Sequence, residues 1–267
     1  MSADTWSLAA GLVMAVVGAV LGWFVPALIA RIPEPEPEPG PPFREVGAAG
    51  EPELPATEQE MAASGPEPVA EVEEPKERYD AIAAVPGLAW KSAGASAVTS
   101  GLVGAVVGWE PILLLWAYLV PVGVALAIVD WRTRLLPTKV IAPSYAVLVA
   151  LTVLAAVLTG DWDSLIRAGW GWLVAGGTFF VLWFIYPRGM GYGDVRLSGL
   201  LGIALGYLGW GELLTGVYAG FLLGGIGGLL LSVLRIVDRK AYPFGPFMLV
   251  GALVGVVAGP GVAAWYA

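Results

Sequence analysis

The chain has 267 residues with no cysteine and no histidine, and it is 57% hydrophobic but only 13% charged. Its mean hydropathy of +0.75 excludes an ordinary soluble globular domain and points to a protein that crosses a membrane several times. The missing residue types exclude disulfides, thiolate metal sites, cysteine nucleophiles and histidine-based triads or zinc sets, which leaves acid–base work to Asp, Glu, Lys, Tyr or Ser.

Residues 8–30 form the first predicted span, apolar throughout and long enough to cross a bilayer. Asp4 precedes the run and Arg31 follows it, whereas a cleaved secretory signal wants bases in front. A retained span with its N-terminus outside is expected.

The formal net charge of -8 is set by what comes next, because residues 31–80 hold 14 of the 22 acids and four of the 14 bases. The same stretch holds 11 of the 21 prolines and opens with a Pro-Glu alternation at 33–39. Such a segment buries too little apolar surface to offset its ordering entropy. Residues 32–90 are therefore expected to be an extended, disordered acidic linker, a tether before a partner-binding tail on composition.

Further predicted spans lie at 92–109, 111–129, 140–159, 168–186, 197–209, 213–236 and 242–263, some too short for a straight crossing. The expected architecture is an all-α polytopic bundle of about eight spans. It divides into a first span at 1–31, the linker at 32–90 and a seven-span core at 91–267. With the N-terminus outside, an even count returns the C-terminus outside as well. Interior segments then carry 13 of the 14 bases and exterior loops only Arg167, in keeping with the excess of Lys and Arg on cytoplasmic loops. Exterior loops would also carry Glu110, Asp161, Asp163 and Glu212, and Asp238 inside is expected to pair with Arg235, Arg239 or Lys240. Glycines at 11, 18 and 22 and at 216, 220, 224, 225, 227 and 228 suit close helix packing in lipid and are given no chemistry.

Two carboxylates stand out on the interior side. Asp194 sits in Arg188-Gly189-Met190-Gly191-Tyr192-Gly193-Asp194-Val195-Arg196, between two apolar runs. Ionisable groups at that depth are costly and point to function. Glycine there allows either a tight turn or close approach of the backbone, so Gly191 and Gly193 are assigned to the turn that aims Asp194. Asp130 ends the uncharged run 111–129 and opens Asp130-Trp131-Arg132-Thr133-Arg134-Leu135-Leu136-Pro137, where Arg132 or Arg134 could simply hold it. Two close, poorly solvated carboxylates share a proton. One can then activate water while the other protonates a leaving group. The alternative for paired membrane acids is proton or ion translocation, which favours midplane acids and internal repeats. A non-catalytic assembly scaffold is the third reading.

These residues resemble the prepilin peptidases, or type IV leader peptidases, membrane aspartic proteases of the G-x-G-D class. The likeness rests on four stretches taken in order. They are 18–24 with Arg31-Ile32-Pro33; Asp130 with Leu136-Pro137; 189–197 around Asp194, with Arg196 where Lys is usual; and Tyr242-Pro243-Phe244-Gly245-Pro246-Phe247. Trp23 stands where the family often has Ser. The resemblance implies that Asp130 and Asp194 form a catalytic dyad. It makes Pro137, Pro243, Phe244, Gly245 and Pro246 structural motif positions. It implies an endopeptidase of the inner, cytoplasmic membrane, its site facing the cytoplasm. The substrates would be the basic leaders of prepilin-like precursors, cut after a glycine; an archaellin-like precursor is a related possibility. Bifunctional members carry paired C-x-x-C motifs after the first span and also N-methylate; this chain has no cysteine, so loss of methylation is expected. Arg132, Arg134, Lys139 and Arg196 are assigned to substrate or lipid-headgroup contacts, with headgroups favoured. No cofactor, metal or nucleic-acid partner is expected, beyond the bilayer and the precursors.

The acidic linker is expected to recruit basic leaders electrostatically. Deleting residues 34–75 should then slow cleavage at low salt and matter less at high salt; unchanged cleavage at low salt would refute it.

Overall fold

The computed structural model describes residues 7–34, 77–187, 189–233 and 243–266. Most of the linker, together with Arg188, the Asp238 cluster and Tyr242, lies outside the described residues. Glu34–Lys76 forms a unit separate from Met1–Pro33 with Glu77–Ala267.

Every regular element described is a helix, as expected for an all-α membrane protein: α1 Leu8–Trp23, α2 Val25–Ala30, α3 Tyr79–Ala83, α4 Leu88–Val107, α5 Leu113–Thr133, α6 Thr138–Thr159, α7 Trp162–Ile185, α8 Tyr192–Leu208, α9 Trp210–Val233 and α10 Gly245–Tyr266. Among the described residues, five segments are long and apolar enough to cross a membrane: Leu8–Ala30, Leu113–Thr133, Thr138–Thr159, Trp162–Ile185 and Gly245–Trp265. The other three predicted spans coincide with α4, α8 and α9. α4 carries Lys91 and many Ser, Thr and Gly residues, and α8 is only 17 residues long.

The helices pair through small residues. A Cβ added to Gly18 would come within 2.6 Å of Ser100 Oγ, and one on Gly22 within 2.6 Å of Ser96 Cβ, so α1 lies tightly on α4. Gly171 of α7 meets Gly202 and Gly206 of α8 in the same way, and Gly216 and Gly220 of α9 meet α10. Lipid provides no hydrophobic drive between helices, so close backbone approach is what holds such pairs. Trp23 packs edge-on against Trp90 with centroids 4.5 Å apart, a further link between α1 and α4.

The linker ends earlier than the sequence suggested. Tyr79 and Ile82, three residues apart and hence on one face of α3, are only 3% and 1% exposed. They pack with Val25, Ile29 and Ile32 and with Ala125 and Val129 of α5. The helical register of two apolar residues outweighs the charged composition around them.

Arg167 is no loose exterior charge. Its guanidinium donates to the carbonyls of Gly206 (2.8 Å), Tyr207 (2.7 Å) and Leu208 (3.3 Å), which end α8. Asp161 caps the start of α7 through Ser164, whose hydroxyl also accepts from Arg167. Arg167→Ala should destabilise the folded protein by about 2 kcal/mol, the scale of hydrogen bonds from a charged group. A thermal melt in detergent would show it, with Arg167→Lys retaining part of the loss; an unchanged melt would contradict the capping role.

Candidate active site

Asp130 lies in the last turn of α5 and Asp194 in the first turn of α8, 4% and 8% exposed respectively. The backbone N–H of Gly245, the first residue of α10, donates to Asp130 Oδ2 at 2.9 Å. The Gly191 backbone lies within hydrogen-bonding reach of the Asp194 carboxylate. Each acid therefore meets the N-terminal end of a helix, where unpaired amides and the helix dipole favour negative charge. The two carboxylates are close enough for Asp194 to sense the charge of Asp130.

Leu136 holds the three segments together. A Cβ on Gly193 would fall 2.7 Å from Leu136 Cβ, and one on Gly245 would fall 3.4 Å from Leu136 Cδ2 and 2.7 Å from Asp130 Oδ2. Both glycines leave room for a neighbour. Of the two roles, turning and close approach, Gly193 needs only the second, and Gly191 needs neither, since a Cβ there would come no nearer than 3.4 Å to Asp194 Oδ2. Gly191 is the N-cap of α8 at φ -70°, ψ 142°, a conformation open to any residue, and Gly193 already lies within the helix.

The chain returns from α5 to α6 through a left-handed residue that is not glycine. Arg134 has φ 57°, and its N–H donates to the Asp130 carbonyl at 2.8 Å. That turn brings Leu136 back toward the end of α5. Pro137 is the N-cap of α6, where its missing N–H removes no helical bond. Pro246 occupies the second position of α10 for the same reason. Pro243 is buried, and the Phe244 ring packs at a tilt of 49° against Phe221 and Phe179, at centroid distances of 5.8 and 6.0 Å.

The four basic residues assigned to substrate or headgroups divide. Arg132 pairs with Glu77 at 3.1 Å, and Lys139 is exposed. Arg134 serves through its backbone, and Arg196 is turned onto Thr138 and Tyr192. Leu136, Thr138 and Tyr145 were not singled out as site residues, and Leu136 was noted only as the partner of Pro137. Their contacts are long-range, so spacing carried no signal.

Residues 117–233, including both aspartates, match the family model described as the type IV leader peptidase family. Two relatives are each named prepilin leader peptidase/N-methyltransferase. The one from Aeromonas salmonicida is 30% identical over 171 residues, 60% of this chain and 53% of the relative. The one from Stutzerimonas stutzeri is 26% identical over 186 residues, 62% of this chain and 58% of the relative. The chain thus spans little more than half the length of these relatives. No solved structure matches the chain.

Gly193→Ala should push Leu136 aside and displace Asp194. Gly225→Ala, which has open space around it, should fold and behave as wild type. Activity and melting of the two variants, measured in parallel, check this; equal behaviour would mean that the space beside Leu136 is not needed. The two buried aspartates thus lie inside the one segment, residues 117–233, that is similar to the type IV leader peptidase family.

Proposed function

We propose that this multi-pass membrane protein is an aspartic endopeptidase that removes the basic leader of prepilin-like precursors at the cytoplasmic face of the inner membrane, after a glycine. The observation that carries the reading is the pair of buried carboxylates, Asp130 and Asp194, at helix ends within electrostatic reach of each other. The family match, and relatives named as prepilin leader peptidases, support the substrate class. Orientation rests on the 13 bases assigned to one side against Arg167 on the other.

In this mechanism one carboxylate takes a proton from water, and the resulting oxygen nucleophile attacks the scissile carbonyl carbon. The other carboxylate delivers its proton to the departing amine as the C–N bond breaks. The N-terminal ends of α8 and α10 supply donors that hold each carboxylate in place without metal, thiol or imidazole. The relatives' names also include N-methyltransferase activity; the chain's lack of any cysteine supports a peptidase that has lost that second reaction.

Cleavage of a co-expressed prepilin, read as a mobility shift, tests the reading. Asp130→Asn and Asp194→Asn should each lower cleavage by at least about a hundredfold, the lower end of what general acid–base catalysis contributes. Both variants should still insert in the membrane. If both cut like wild type, the dyad is wrong. If wild type cuts nothing while its aspartates support a proton-driven flux, the protein is a transporter.

A further inference from the structure

Arg196 is half-buried, and its guanidinium is engaged by neighbouring side chains of the protein. It follows Asp194 by two residues on α8, and its Nη1 donates to Thr138 Oγ1, the first residue of α6. Its Cζ lies 4.5 Å from the centroid of the Tyr192 ring. A planar guanidinium can use its edge for a hydrogen bond and its face for an aromatic ring at the same time. The Arg196 carbonyl accepts from Tyr145 Oη at 2.7 Å, so a second α6 residue, two turns further on, grips the same point of α8. The Tyr192 ring rests in turn on Trp183 of α7, centroids 4.9 Å apart. One residue thereby ties α8 to the start of α6 and, through Tyr192, to α7.

That tie bears on Asp194 through Leu136. α6 begins directly after Leu136-Pro137, and Leu136 fills the space that Gly193 leaves. Holding Thr138 against Arg196 holds Leu136 against Gly193, the residue before Asp194, and beside Gly245, whose amide binds Asp130. We propose that Arg196 is a positioning residue, which acts through Thr138 and Tyr145 to set Asp194 relative to Asp130 and does not contact substrate or lipid headgroups. The inference rests on the reading that Asp194 reacts.

The full-length protein, assayed in detergent with a purified prepilin, separates these roles. Thr138→Val keeps the shape but removes the acceptor, and Arg196→Gln removes the charge and the cation–ring contact. Each should lower kcat roughly tenfold or more with KM unchanged, since about 1 Å of misplacement can cost a hundredfold. Thr138→Ser should restore the rate, and Arg196→Lys should restore part of it. A raised, salt-sensitive KM at constant kcat would make Arg196 a substrate contact and overturn the proposal; so would no change in either constant.

The geometry can also be read without activity. The chain has no cysteine, so spin labels at Lys139→Cys and Pro187→Cys report one distance across the tie. Its distribution should broaden in Thr138→Val; an unchanged distribution overturns the inference even if no substrate is cleaved. Failure of wild type to cleave, with the broadening present, would instead count against the proposed activity alone.

Discussion

The structure around the aspartates depends on one packing constraint, the Leu136 side chain lodged where Gly193 and Gly245 have no Cβ. Leu136 comes from the loop after α5, Gly193 from the first turn of α8 and Gly245 from the first turn of α10. Each segment brings a polar group of the candidate site with it: Asp130 before the loop, Asp194 beside Gly193, and the amide of Gly245 onto Asp130. A methyl group at either glycine would meet atoms that cannot move away cheaply, so a close-packed interior transmits the displacement to the acids. The glycines matter here for the volume they leave empty. Their conformational freedom goes unused.

The same logic extends through the bundle. Apolar helices in a bilayer gain little by burying apolar surface against one another, so the chain brings backbones together at Gly18, Gly22, Gly171, Gly202 and Gly216. Polar side chains then tie up the ends that packing leaves open. Arg167 closes the carbonyl end of α8, and the Gly191 backbone meets Asp194 at its amide end. The helix that carries Asp194 is thus held at both termini as well as along one side.

Much of this was legible in the sequence. Apolar runs located the helices because hydropathy reports directly on the ability to cross a bilayer. The isolation of Asp130 and Asp194 between such runs marked them, because charge at that depth is rare unless used. What was not legible depended on contacts between distant segments. Nothing in local composition brings Leu136 to Gly193, or Arg196 to Thr138. Tyr79 and Ile82 were hidden for a different reason: a charged, proline-rich neighbourhood dominated the reading, while their spacing on one helical face carried the fold. Arg134 shows the same limit, because its left-handed backbone is a property of the α5–α6 turn and nothing in its side chain announces it.

The central claim is that the two carboxylates act as one unit, and the most direct test is a comparison of cleavage rates for both single Asp→Asn variants and the double variant Asp130→Asn/Asp194→Asn. Residues that act as a unit are strongly non-additive. The account predicts that the double variant cleaves no more slowly than the slower single variant. If the two losses multiply in the double variant, the aspartates contribute independently and the shared-proton mechanism is contradicted.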